Sequence, residues 1–226
     1  MNLKQEAAKQ AISLINHHVT VGLGAGATIA YIVEYLKTLQ LPIQLYTSSE
    51  DTKTLLQQNG FTVNDIASVA SLDIYFDGCD QFDKNLNALK SGGGIHTNEK
   101  LLAAMAKEFV LAGDESKYAE QLTTKYPLVL EVLPQALQYA IENVKRLFSI
   151  VKVTIRQNRD NKLVVTANGN YLVDIWFAAW PALSQLNPVL KGITGVVETS
   201  LFYNMADKAI IAGTTGVQVL KKLGSK

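Results

Sequence analysis

Three aspartates, a lysine, three consecutive glycines and a glutamate fall within one short window of the chain. They are Asp77, Asp80, Asp83, Lys90, Gly92, Gly93, Gly94 and Glu99, in the stretch DGCDQFDKNLNALKSGGGIHTNEK that ends at Lys100. Carboxyl groups can act as general acids or bases, and a lysine among them can steady a developing oxyanion. Glycines let the backbone come close to a ligand. A glutamate that is partly buried gains the raised pKa that a base working near neutrality needs. The same aspartates could merely end a strand and shape a turn. The presence of Lys90, the glycines and Glu99 directly behind them favours a site.

The window follows the apolar run Ser71-Leu72-Asp73-Ile74-Tyr75-Phe76, which reads as a buried strand. Carboxylates at the carboxyl end of such a strand lie where open α/β sheets hold their ligands. Upstream, residues 4–16 have helical apolar spacing, 19–23 form a short apolar strand, and Gly24-Ala25-Gly26-Ala27-Thr28 makes a glycine turn into a helix over 29–39. A strand at 43–46, the hydroxyl-rich Thr47-Ser48-Ser49, a helix at 50–58 and a short strand at 61–63 follow. Downstream, a helix over about 98–108 precedes a strand at 109–112 and the loop Gly113-Asp114-Glu115-Ser116-Lys117. This alternation predicts a parallel sheet covered on both faces, with the polar loops 24–28, 47–52, 77–94 and 113–117 along one rim.

The texture changes after Lys125. An extended segment at 126–134 bounded by prolines, a helix at 135–147, strands at 149–156 and 162–167, the hairpin signal Asn168-Gly169-Asn170 before a strand at 171–176, and a helix near 180–190 suggest a smaller α+β unit. Residues 208–213 read as a last strand returning to the large sheet. The expected fold is α/β, a Rossmann-like parallel-sheet domain over 1–125 plus 201–226 with a smaller α+β domain, 126–200, inserted in it.

The 226 residues carry 21 Lys and Arg against 20 Asp and Glu, and 48% are apolar. A net charge of +1 gives no general attraction for nucleic acid or an anionic membrane, so any anion specificity must be local. The single cysteine, Cys79, excludes an intrachain disulfide and a multi-cysteine metal site. It reads as a small buried residue rather than a nucleophile. Three scattered histidines make no zinc pattern, and His17 and His18 read as structural or exposed. The N-terminal MNLKQEAAKQ is polar, without the character of a signal peptide, and no apolar run is long enough to cross a bilayer. A cytoplasmic protein is expected. Gly24 to Thr28 can cradle a phosphate at a helix N-terminus, with Thr28 as a candidate helix cap. Ile29 stands where a dinucleotide fingerprint needs its third glycine, so a single phosphate is the better fit.

Taken in order, these loops resemble the ribose-5-phosphate isomerase type A family. Its GTGST, TSS, DGADE, KGGGG…REK, DxSK, TDNGN and GLF…ADxxIxG segments appear here as Gly24–Thr28, Thr47–Ser49, Asp77–Gln81, Lys90–Lys100, Asp114–Lys117, Asn168–Asn170 and Ser200–Gly213. The resemblance implies an aldose–ketose isomerase that interconverts ribose 5-phosphate and ribulose 5-phosphate through a cis-enediolate, with no metal or redox cofactor. It implies Glu99 as general base, Asp77 assisting ring opening, Asp80 binding sugar hydroxyls and Lys90 steadying the enediolate. It assigns Gly92, Gly93 and Gly94 to the same pocket. Lys4, Gly24, Ala25, Gly26, Ala27, Thr28 and Lys117 become the phosphate set. It also implies a homodimer or homotetramer whose ligand is a small sugar phosphate.

The chain departs from the family pattern at Ala25 and Ala27, which lack hydroxyls, and at Ser91, Gln81, Asn98 and Ala167. A shifted pentose substrate, or a non-catalytic sugar-phosphate sensor on the same fold, are the alternatives these departures leave. The expected catalytic set is intact, and the phosphate loop is the thinned part.

Overall fold

A computed structural model describes residues 2–15, 20–39, 42–149 and 151–222; His17 and His18 lie outside the described residues. The elements run α1 (Leu3–Ile12), β1 (Thr20–Leu23), α2 (Ala27–Leu36), β2 (Gln44–Thr47), α3 (Glu50–Gln58), β3 (Ile74–Asp77), β4 (Gln81–Asp83), β5 (Ala88–Leu89), α4 (His96–Met105) and β6 (Phe109–Asp114). They continue with β7 (Tyr118–Ala119), β8 (Leu128–Val132), α5 (Leu137–Leu147), β9 (Val151–Ile155), β10 (Tyr171–Phe177), α6 (Leu183–Lys191), β11 (Val196–Thr199), β12 (Leu201–Phe202), β13 (Lys208–Gly213) and β14 (Gly216–Lys221).

Six strands form the main sheet in the order β14-β13-β6-β3-β1-β2, parallel except for the β13–β14 hairpin. Side chains alternate across it, as a period of two requires. Val21, Leu23, Ile74, Phe76, Val110, Ile210 and Ala212 face a core shared with α1, α2 and α3. Tyr75, Phe109, Leu111, Ala209 and Ile211 face the other way, onto Leu102 and Ala103 of α4. Burial on both faces explains the unbroken apolar runs in the sequence.

The chain leaves β1 for β2 on one side and then crosses to β3 on the other. That reversal splays the loops after β1 and β3 apart and opens a crevice at the carboxyl ends of the strands. The parity of β3 then matters. Asp77 shares its face with Tyr75, the α4 side, so the strand delivers its terminal carboxylate toward the helix that carries Glu99.

A four-stranded antiparallel sheet, β11-β8-β10-β9, lies wholly between Leu128 and Thr199, and a small sheet, β12-β5-β4-β7, bridges to it. The core under the antiparallel sheet also takes in Leu89, Leu122 and Leu201. Several expected elements differ. Residues 61–63 contribute only an isolated bridge from Val63 to Leu45, and 162–167 only bridges at Leu163 and Val165. The helix expected over 98–108 begins at His96, and β14 and β11 had no expected counterpart. β14 alternates weakly because it is an edge strand with much of both faces in solvent.

Candidate active site

Asp77 ends β3 completely buried. Its Oδ1 accepts hydrogen bonds from the backbone N–H groups of Ala25 (3.1 Å) and Gly78 (2.7 Å), and its Oδ2 accepts the Tyr75 hydroxyl at 2.5 Å. Gly24 is required here, because a β-carbon at that position would overlap the Asp77 carboxylate. The glycine turn and the aspartate are thus fitted to one another across two parallel strands.

Lys90 follows β5 and reaches back to this carboxylate. Its Nζ lies 2.8 Å from Asp77 Oδ2 and 3.2 Å from Glu99 Oε1, and it donates to the Gly78 carbonyl at 2.5 Å. Burial alone would lower the Lys90 pKa, but the charges of Asp77 and Glu99 outweigh it and hold the group as ammonium. Glu99 sits in the first turn of α4, buried. Burial pushes its pKa up to about 8; Lys90 opposes the shift and the Asp77 charge adds to it. Two carboxyl groups therefore share one ammonium, and burial favours a proton on Glu99 near neutrality.

Asp80 Oδ2 accepts from the backbone N–H groups of Ser91 (2.5 Å) and Gly92 (2.8 Å), so it clamps the glycine loop. These groups border a cavity of about 260 Å³. Asp80, Lys90, Gly93 and Glu99 line it. Ala25, Gly26, Ala27 and Thr28 line it as well, as do Lys4 and Lys117. Gly26 takes φ +102°, a left-handed conformation that glycine accepts without strain, and it provides no side-chain cap to α2. The helix therefore opens without a side-chain cap, and its first residues, Ala27 and Thr28, line the cavity. Thr28 lies inside that first turn, so it does not cap the helix as expected.

Cavity and sequence expectation differ at several positions. Asp77, Gly24, Gly92 and Gly94 stand behind the lining rather than in it. Of the four loops expected on the rim, 47–52 does not reach the cavity. It braces the turn instead, through the Thr52 hydroxyl donating to the Gly24 carbonyl at 2.7 Å. Gly78, Cys79, Ala112, Gly113 and Asp114 line the cavity without having been singled out as binding residues. Asp114 could have been found, since it ends β6 as Asp77 ends β3. Burial would raise its pKa, but hydrogen bonds from Ser116 and the charges of Lys117 and Lys4 lower it, so a carboxylate stands among the cations. Burial pushes the Cys79 thiol up to about 12, which keeps it protonated. No cluster of three or more His, Cys, Asp or Glu among the described residues is placed to hold a metal ion.

Five of the six departures from the family pattern separate by what they touch, and the sixth, Ala167, is not among the cavity's lining residues. Ser91 donates its hydroxyl to the Pro127 carbonyl at 2.5 Å, Gln81 Oε1 accepts from the Thr123 N–H at 2.6 Å, and Asn98 exchanges amide hydrogen bonds with Asn168. All three point away from the cavity. Only Ala25 and Ala27 face it.

Comparison with known proteins places the whole chain in a family. Residues 44–216 match the family of ribose 5-phosphate isomerase A, also called phosphoriboisomerase A. The ribose-5-phosphate isomerase A of Bacillus mycoides is 34% identical, over 96% of this chain and 99% of its own. That of Legionella pneumophila is 33% identical, over 97% and 99%. The ribose 5-phosphate isomerase A structure from Methanocaldococcus jannaschii superposes with a TM-score of 0.89 at 31% identity, covering 98% of this chain and 99% of that one. A ribose-5-phosphate isomerase structure in complex with phospho-erythronic acid gives 0.90 at 32% identity, covering 98% and 100%. This chain belongs to the ribose 5-phosphate isomerase A family.

Proposed function

We propose that this cavity is the active site of a ribose-5-phosphate isomerase, interconverting D-ribose 5-phosphate and D-ribulose 5-phosphate through a cis-enediolate with Glu99 as the base. The observation that carries the assignment of roles is the shared ammonium: Lys90 lies between Asp77 and Glu99 and faces the cavity. From the open-chain aldose, the Glu99 carboxylate takes the C2 proton and the electron pair forms the C1–C2 double bond. Negative charge then collects on O1, where the Lys90 ammonium stabilises it. The O2 proton passes to O1, and Glu99 returns its proton to C1 as the C2 carbonyl forms. Atoms and charge balance without a further reagent. A base whose pKa is raised toward working pH suits both the removal and the return.

Asp77 acts through Lys90, since its own oxygens are spent on Ala25, Gly78, Tyr75 and that ammonium. Asp80 borders the cavity and binds sugar hydroxyls, which also places it to assist ring opening. The phosphate lies at the N-terminus of α2, where unpaired N–H groups and the helix dipole favour an anion, with Lys4 and Lys117 adding charge.

The test is a direct assay of ribose 5-phosphate isomerisation with the wild type and Glu99→Gln. The variant should fold and lose about 10²–10⁴-fold in kcat; undiminished turnover overturns the assignment. Ala25 and Ala27 favour a second reading, a pentose with less need of the phosphate. Comparing kcat/KM for ribose 5-phosphate and free ribose decides it, and a strong preference for the phosphate removes it. The sensor reading falls if the wild type turns over at all. An assembly of two or four copies in the cytoplasm belongs to the same proposal. No helix of the described residues is long and apolar enough to cross a membrane, and light scattering of the purified chain gives the copy number.

A further inference from the structure

The glycine loop has no side chain of its own after Ser91 with which to hold its shape, and glycine peptides rotate more freely than others. Two outside groups fix it at Gly92. The Gly92 N–H donates to Asp80 Oδ2 at 2.8 Å, and the Gly92 carbonyl accepts from Arg156 Nη1 at 3.3 Å. Arg156 follows β9 in the antiparallel sheet, and its guanidinium is held by Asp174 of β10 through Nη2 at 2.5 Å and Nε at 3.2 Å. Its own N–H donates to the Leu172 carbonyl, and Leu172 packs beside Gly94. The face of the antiparallel sheet bearing Leu172 and Asp174 is therefore seated on the loop that borders the sugar cavity.

The Gly92 carbonyl and the Gly93 N–H are the two ends of one peptide plane. In a trans peptide they point in opposite directions, and no peptide of the described chain is cis. Gly93 lines the cavity, and its N–H has no hydrogen-bond partner among the described residues. We propose that Arg156, held by Asp174, is a positioning residue for the isomerase site: by anchoring the Gly92 carbonyl it presents the Gly93 N–H to the oxygen on which charge develops. This rests on the isomerase reading above and gives the antiparallel sheet a part in catalysis. Arg156 touches neither substrate nor base. Its planar fork binds Asp174 with two nitrogens while a third reaches Gly92, which a lysine cannot reproduce.

The variants Arg156→Met, Arg156→Lys and Asp174→Asn test this in the full-length protein, with thermal melting to confirm folding. Three quantities are read: kcat and KM for ribose 5-phosphate, the Kd for 4-phospho-D-erythronate, whose carboxylate resembles the enediolate, and the inhibition constant of inorganic phosphate. Misaiming one donor should lower kcat about ten-fold in Arg156→Met and weaken 4-phospho-D-erythronate by a similar factor. KM and phosphate inhibition should stay within about two-fold, because the phosphate end of the cavity is untouched. Arg156→Lys should recover part of the loss, and Asp174→Asn should fall between. Wild-type kcat and 4-phospho-D-erythronate affinity in a folded Arg156→Met overturn the proposal, as does an equal weakening of inorganic phosphate. A wild type without isomerase activity overturns the isomerase reading alone; 4-phospho-D-erythronate binding then decides the role of Arg156, and its failure to bind the wild type overturns that role too.

Discussion

Lys90 Nζ lies 2.8 Å from Asp77 Oδ2, and the two side chains are 6% and 0% exposed. A buried ion pair of this kind costs desolvation that mutual attraction only partly offsets, so it is weak as a stabilising device. Its value here is the second contact of the same ammonium, to Glu99. Asp77 and the Gly78 carbonyl keep Lys90 charged and fixed, and its third donor can pass from Glu99 to an oxygen in the cavity.

Lys90→Met should lower kcat about 10²–10³-fold, the usual loss when a donor to a developing oxyanion is removed. It also leaves two buried carboxyl groups without their cation. Breaking such a pair costs about 3–5 kcal/mol, so the melting temperature should fall, and fall further behind the wild type above about pH 8, where the wild-type Glu99 ionises against Lys90 while the variant's must keep its proton. Single-turnover kinetics and melting curves at two pH values check both parts; a deficit against the wild type that is equal at both contradicts the shared-cation arrangement.

The pH dependence follows from Glu99, whose pKa is raised from 4.5 to about 8. It must be ionised to take a proton, so kcat/KM should rise ten-fold per pH unit and level off above about pH 8. Asp77→Asn removes a charge that raises this pKa and leaves Lys90 to Glu99 alone, so the rising limb should move to lower pH. Stability runs the other way. Between about 4.5 and about 8 the folded protein holds a proton that the unfolded chain has released, so stability falls as pH rises. Glu99→Gln lacks this loss, and its melting temperature should gain on the wild type across that window.

Gly24→Ala should be severe although it adds one methyl group. The new carbon would occupy space held by the Asp77 carboxylate, and the shift would break the Ala25 hydrogen bond and disturb Lys90. Loss of activity and a clear fall in melting temperature are expected together. A fully active Gly24→Ala enzyme would mean the turn is looser than its contacts imply.

Ala27 begins α2 and lines the cavity at the proposed phosphate end. Restoring a hydroxyl with Ala27→Ser should lower KM for ribose 5-phosphate and leave kcat unchanged. A hydrogen bond to a charged group is worth about 1.5–3 kcal/mol, which sets roughly ten-fold as the lower expectation. An unchanged KM would place the phosphate elsewhere.

Much of this protein was legible in the chain itself. Parallel strands buried on both faces must be apolar throughout, so β1, β3 and β6 announced themselves, and loops following such strands must share a rim. Glu99, Lys90 and Asp80 could be chosen because acids, a lysine and glycines cluster after one strand. Gly24 and Asp77 could be noticed separately. Their mutual fit could not, since they are joined by contact between parallel strands and not by spacing. Tyr75 was passed over as a core residue, although its position two before Asp77 places both on one sheet face.

The sequence by itself determined residue types and order: which strands are buried, which loops end them, and which side chains carry protons. Only the tertiary structure decided which of those groups reach the cavity. It tied Ser91, Gln81 and Asn98 to Pro127, Thr123 and Asn168 away from the cavity, left Ala25 and Ala27 lining it, and brought Arg156 from the antiparallel sheet onto Gly92. The reason is physical: hydrogen bonds and ion pairs between residues far apart in the chain depend on how strands pair and cross, and the parity of a strand or the reach of a guanidinium has no counterpart in local pattern.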